Sequence, residues 1–173
     1  MYILGKKIYE ALKYTAILIV IAIFIIKFIF QIVTVSGESM VPTLHNNDKL
    51  ILEKVSYIIT SVKRNDIVVI KYPADISERI IKRVIAVAGD KVKINDNITY
   101  INGKAINEYY KNEDSMKDYD EVTVPQDSIF VLGDNRNFSK DSRSSDVGFV
   151  KLNLLEGKVV IRLYPFNKMG RIR

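Results

Sequence analysis

The chain opens on an apolar block and then changes period. After a polar start containing Lys6, Lys7 and Lys13, the residues from Ala16 to Val35 read "AILIVIAIFIIKFIFQIVTV", interrupted only by Lys27, Gln31 and Thr34. At about 1.5 Å per helical residue such a run crosses a bilayer core of roughly 30 Å. A cleavable leader would carry a shorter apolar region ending at a small-residue cut site, so the pattern reads as an uncleaved single anchor. The lysines ahead of the run place the N-terminus in the cytoplasm and the remainder outside. Lys27 and Gln31 fall toward the outer end, where a lysine head can snorkel to the headgroups.

From Lys49 onward the period shortens to that of strands. The runs "KLILEKVSYII", "DIVVIKY", "RIIKRVIAVAG", "KVKIN", "ITYINGKAI", "EVTVP", "SIFVLGDN" and "GKVVIRLYPF" are β-rich and separated by turns. No helix-period segment of comparable strength follows the first block. Asn102-Gly103 between two strand-like pieces predicts a tight hairpin. The segment from Asn107 to Glu121 is polar and free of Gly and Pro, which predicts a flexible excursion. The expected fold is therefore mainly β: a transmembrane helix within residues 1–35, then a β domain over 36–173 with a small hairpin lobe inserted at about 91–124.

Composition narrows the partners. The 173 residues carry a formal charge of +6 with their basic residues scattered. Scattered charge favours membrane lipid over nucleic acid, whose footprint is more often a clustered patch. There is no cysteine, which excludes disulfides, thiol catalysis and zinc-thiolate sites.

Three segments hold candidate chemistry. In "VSGESMVPTLHNND" Ser39 lies between Gly37 and Pro42, either as a plain turn residue or as a nucleophile. A serine nucleophile needs a base. His45, the one histidine, is crowded into the same segment and reads as a bystander. Lys82 lies in "ERIIKRVIAVAGD" among Ile80, Ile81, Val84 and Ile85. Strand alternation forces either Lys82 or Arg83 toward an apolar face. A desolvated lysine would be a base, and an edge strand with both heads in water is the alternative. The third segment, "FVLGDNRNFSKDSRSSDVGFV", gathers Asp134, Asn135, Arg136, Asp141, Ser142 and Arg143 around two glycines and reads as a cross-linked supporting loop. Its acidic spacing does not fit a calcium loop.

Together, "SGESMVPTL", "KRNDIVVIKYP", "ERIIKRVIAVAGDKV" and "VLGDNRNFSKDSR" with "VGFV" resemble, in order, the boxes of the bacterial type I signal peptidases. The tail "GKVVIRLYPFNKMGRIR" is similar to the close of that family. The resemblance implies a membrane-anchored endopeptidase with a β-rich catalytic domain on the outer face, no metal and no cofactor. Its substrates would be exported preproteins with signal peptides, cut after small residues at −1 and −3, beside membrane lipid and near the secretion translocon. It assigns Ser39 as nucleophile, Lys82 as general base, Ser139 as the group steadying the lysine head, and Asp141 and Arg143 as a supporting ion pair. Gly37 stands where longer forms have an oxyanion-assisting serine, leaving that help absent or to Ser36. Met40 would wall the substrate pocket. Asn65 replaces a common glycine and Phe138 a common asparagine, neither in a catalytic role.

Overall fold

The structure, a computed structural model, describes residues 2–59, 61–111 and 116–172, and side chains throughout these except at 2–4, 25–27, 58 and 59. Helix α1 (Tyr2–Ile29) leads into β1 (Phe30–Thr34) and β2 (Lys49–Glu53). The remaining strands are β3 (Ile67–Tyr72), β4 (Asp75–Val87), β5 (Lys91–Asn95), β6 (Ile98–Ile101), β7 (Lys104–Ala105), β8 (Tyr119–Thr123), β9 (Ser128–Leu132), β10 (Val150–Lys151), β11 (Leu155–Tyr164) and β12 (Gly170–Arg171).

The helix ends sooner than the apolar run. Phe30 to Thr34 pair with β2, Phe30 opposite Glu53 and Thr34 opposite Lys49. The physical reason is that β-branched Ile32, Val33 and Thr34 suit a pleated ladder, and β2 offers an unpaired edge. The sheet thus begins at Phe30, ahead of the boundary expected at Val35. Among the described residues no helix is long and apolar enough to cross a membrane. Lys6, Lys7, Lys13 and Glu10 occupy the first half of α1, and the part that follows, apolar but for Lys27 and ending at Ile29, spans only about 20 Å. Its described side chains are almost all exposed. The side chain of Lys27 lies outside the described residues.

Two antiparallel sheets follow. The larger runs β1-β2-β11-β3-β4-β9-β10, with β12 also on β11, and the smaller runs β7-β6-β5-β8. In the smaller sheet Asn102 and Gly103 turn the chain between β6 and β7 with φ of 53° and 75°, the left-handed geometry that Asn-Gly tolerates. Asp96 and Asn97, also left-handed, close the turn from β5 to β6.

Strand β4 is interior, not an edge. Around its middle it pairs with β3 on one side and β9 on the other, Lys82 opposite Val68 and Arg83 opposite both Ile67 and Leu132. Three apolar clusters flank these strands. One joins the sheets through Ile85, Val92, Ile94, Phe130 and Leu132, a second packs Met40, Leu44, Leu50 and Leu52, and a third holds Val68, Val84 and Val131.

On either side of residues 112–115, the segment from Asn107 to Glu121 packs against the core where its composition predicted a flexible excursion. Tyr110 and Met116 are buried in the cluster joining the sheets, and Glu108 pairs with buried Arg136 at 2.5 Å. The polar residues read as solvated carry the partners of that arginine. Residues 112–115 lie outside the described residues.

Candidate active site

Ser39 sits in a loop closed at its base and plugged into the core. Val35 N–H donates to Asp48 O and Asn47 N–H to Val35 O, both at 2.9 Å, so the two ends of the loop continue the β1–β2 pairing. Gly37 takes φ +90°, unfavourable for a side-chain-bearing residue, and its N–H donates to Asn46 Oδ1 at 3.1 Å. Met40 and Leu44 drop into the core as anchors. Ser39 is left half-buried between them and the exposed Glu38.

Lys82 comes to it from the middle of β4. Its Nζ lies 2.7 Å from Ser39 Oγ, and the residue is 3% exposed. Burial pushes the amine down from 10.5 to about 8, against the pull of Asp141 and Asp134, with Arg143 adding to the fall. An ammonium would donate to Oγ here. A neutral amine accepts the hydroxyl proton instead, the geometry of a base on a nucleophile.

Arg83, the next residue, is also buried but has the opposite solution. Its Nε and Nη2 donate to the two oxygens of Asp134 at 2.8 and 2.7 Å, both side chains fully enclosed. The guanidinium also lies 3.9 Å from the Tyr110 ring centre and reaches Thr43 Oγ1 at 3.3 Å. A bidentate partner and an aromatic face keep arginine charged where lysine is not.

The loop after β9 completes the frame. Asn135 N–H donates to Ser39 O at 3.0 Å, and Asn135 Nδ2 donates to Glu38 O at 3.1 Å. Asp141 accepts from Gly133 N–H at 3.1 Å and takes a bidentate pair from Arg143, both contacts 2.8 Å. Gly133 is tied to closeness rather than to φ: a β-carbon there would strike the Ser139 hydroxyl and the Ser39 carbonyl oxygen.

The structure thus brings Ser39 and Lys82 together and sets Asp141 and Arg143 behind them. Ser139 is at the site, but its buried Oγ has no hydrogen-bond partner among the described residues and does not bond the lysine head. Met40, expected as a pocket wall, is a core side chain only 2% exposed. An apolar residue flanking a polar turn is drawn under the loop, not onto its surface. His45 is half-buried at the foot of the loop, its N–H donating to Asp48, which pairs with Arg162 at 3.0 Å. Asn65 takes φ +71°, which explains why asparagine replaces glycine there. Phe138 is 70% exposed. Among the described residues no group of three or more acidic or histidine side chains is placed to hold a metal ion.

Sequence reasoning missed Asn135 as the clamp on the Glu38 and Ser39 carbonyls and Asp134 as the partner of Arg83. Two adjacent basic residues in an apolar run were the signal for a buried counter-ion.

Residues 8–164 match the model of the family described as signal peptidase, peptidase S26. The signal peptidase I of Bacillus caldolyticus is 41% identical over 157 residues, covering 83% of this chain and 84% of the relative. Signal peptidase I S of Bacillus subtilis (strain 168) is 36% identical over 177 residues, covering 96% and 94%. A crystal structure of a signal peptidase I from Enterococcus faecalis V583 superposes with a TM-score of 0.51 at 36% identity, over 58% of this chain and 97% of that one.

Proposed function

The chain belongs to the signal peptidase family, peptidase S26, and from that premise we propose that it removes signal peptides from exported preproteins with Ser39 as nucleophile and Lys82 as general base. The observation that carries this reading is the 2.7 Å approach of a buried lysine to a half-exposed serine.

In the reaction the neutral Lys82 amine takes the Ser39 hydroxyl proton as Oγ attacks the carbonyl carbon of the scissile bond. The Ser39 N–H, without a partner among the described residues, is free to meet the oxyanion. The new ammonium returns its proton to the departing amine of the mature chain, leaving an acyl-enzyme. Water, deprotonated by the same amine, releases the signal peptide. With its pKa at about 8, about a tenth of Lys82 is neutral at pH 7, against a few in ten thousand for an unperturbed lysine.

Specificity for small residues at −1 and −3 follows if the sites for those side chains are shallow. Helix α1, with basic residues ahead of an exposed apolar part, ties the domain of residues 36–173 to the cytoplasmic membrane, and action on exported chains puts that domain on its outer face. Ser39 lies in the loop that follows β1, so the nucleophile stays close to lipid, where a tethered preprotein emerges near the translocon.

The test is processing of a purified preprotein by membranes carrying the full chain. Ser39→Ala, Lys82→Ala and Lys82→Arg are each expected to lose at least about 10³-fold in rate, the last because arginine stays protonated. His45→Ala is expected to stay within about threefold of the parent. An inactive His45→Ala beside an active Lys82→Ala would overturn the assignment.

A further inference from the structure

We propose that Asn135 is the positioning residue of the nucleophile, holding the Glu38–Ser39 peptide so that the Ser39 N–H faces the developing oxyanion and Oγ faces Lys82. The inference rests on the Ser39–Lys82 reading above and assigns to that site a part no substrate contact supplies.

Asn135 holds two peptide groups. Its side-chain amide donates to Glu38 O at 3.1 Å, and its backbone N–H donates to Ser39 O at 3.0 Å. These carbonyls belong to the peptide units on either side of the Ser39 α-carbon. Fixing both planes fixes the Ser39 φ and ψ, and hence the direction of its Cα–Cβ bond. The cis bonds of the chain lie elsewhere, at Val41-Pro42 and Tyr164-Pro165. In a trans unit N–H and C=O point opposite ways, so anchoring Glu38 O aims the Ser39 N–H away from Asn135.

The clamp is itself anchored to the base. Asn135 follows Asp134, whose carboxylate is locked to Arg83, and Arg83 follows Lys82. Nucleophile and base are therefore joined through one short path: the Glu38 and Ser39 carbonyls to Asn135 by one hydrogen bond each, Asn135 to Asp134 covalently, Asp134 to Arg83 by two more, and Arg83 to Lys82 covalently. Asn135 is 5% exposed, and its Oδ1 is buried with no partner among the described residues. An unpaired buried acceptor is a net cost to folding. Folding alone would be served as well by an apolar side chain, so the amide is explained by the donor it offers Glu38.

The experiment measures kcat and KM on a signal-peptide substrate for the full-length protein with Asn135→Ala and Asn135→Leu, alongside Ser39→Ala. Leucine fills the asparagine volume and removes the unpaired oxygen, so it keeps the fold if alanine leaves a damaging cavity. Melting curves give the folded fraction to which kcat is normalised. Both variants keep the backbone N–H bond to Ser39 and lose the side-chain bond to Glu38. The expected result is a fall in kcat of about 10- to 100-fold, the scale of a misplaced catalytic group, with KM within twofold and the midpoint of the activity–pH curve unmoved. A merely structural residue would change the melt and leave the normalised kcat alone. A normalised kcat within threefold of the parent, with Ser39→Ala inactive, would overturn the role of Asn135. An active Ser39→Ala would overturn the dyad reading on which it rests.

Discussion

Replacing Lys82 by methionine removes the proposed base, yet is expected to make the protein more stable at neutral pH. Lys82 is 3% exposed, and its pKa falls from 10.5 to about 8 because burial disfavours the charged form. Carried through at about 1.4 kcal/mol per pKa unit, keeping the ammonium buried below pH 8 costs about 3 kcal/mol. Methionine escapes that cost but gives up the bond to Ser39, worth about 1 kcal/mol. The variant should therefore exceed the parent by about 2 kcal/mol at pH 7. The sign follows from linkage: between pH 8 and 10.5 the unfolded chain binds a proton the folded one has lost, so parental stability rises with pH across that window. The advantage of Lys82→Met should shrink from pH 8 upward and vanish before pH 10.5. Urea unfolding of full-length protein in detergent, followed by tyrosine fluorescence at pH 6.5, 8, 9 and 10, measures the difference directly. A difference that stayed constant over this range, or a parent more stable than the variant at pH 6.5, would refute the desolvated lysine.

Three further outcomes follow from the same geometry. If the neutral amine is the working form, as proposed, kcat/KM should rise with pH through a midpoint of about 8 and level off above it, and a flat profile from pH 6 to 9 would count against Lys82 as base. Gly133→Ala should push Ser39 and Ser139 apart, lowering turnover by at least about tenfold and stability by about 1–3 kcal/mol, as overpacking does; preprotein cleavage and a melting curve check both. Asp134→Ala should cost about 3–5 kcal/mol by stranding Arg83, whereas Arg83→Met with Asp134→Leu should recover most of it, which urea titration of the two variants decides.

Much of this was legible in the chain, and the limits have physical causes. Alternating short runs announced a mainly β protein, and Asn102-Gly103 announced its hairpin because two left-handed residues in succession need that chemistry. Ser39 and Lys82 were legible as a pair only through the order of the boxes, since nothing local ties a turn serine to a strand lysine so far along the chain. The end of α1 was not legible: Phe30 to Thr34 are as apolar as the helix before them, and pairing with β2, a tertiary event, decides their state. Asn107 to Glu121 misled for the converse reason. Its charged residues looked solvated, but Glu108 is the counter-ion of an arginine buried elsewhere.

Lys82 and Arg83 show how one strand supports two electrostatic outcomes in adjacent positions. Both are basic residues, both are buried, and both pair with β3, Lys82 opposite Val68 and Arg83 opposite Ile67. What separates them is geometry. Arg83 meets Asp134 across two parallel hydrogen bonds at under 3 Å and so stays charged. Lys82 has no carboxylate within hydrogen-bond reach among the described residues; it has the neutral Ser39 hydroxyl at 2.7 Å. Asp134 and Asp141 act on it only through space, too weakly to offset burial. Had Asp134 met the lysine instead, its pKa would have risen and the base would have been lost. The bidentate grip of Arg83 on Asp134 thus does more than hold the loop: it occupies the carboxylate that would otherwise keep Lys82 protonated and unfit for the proposed role of base.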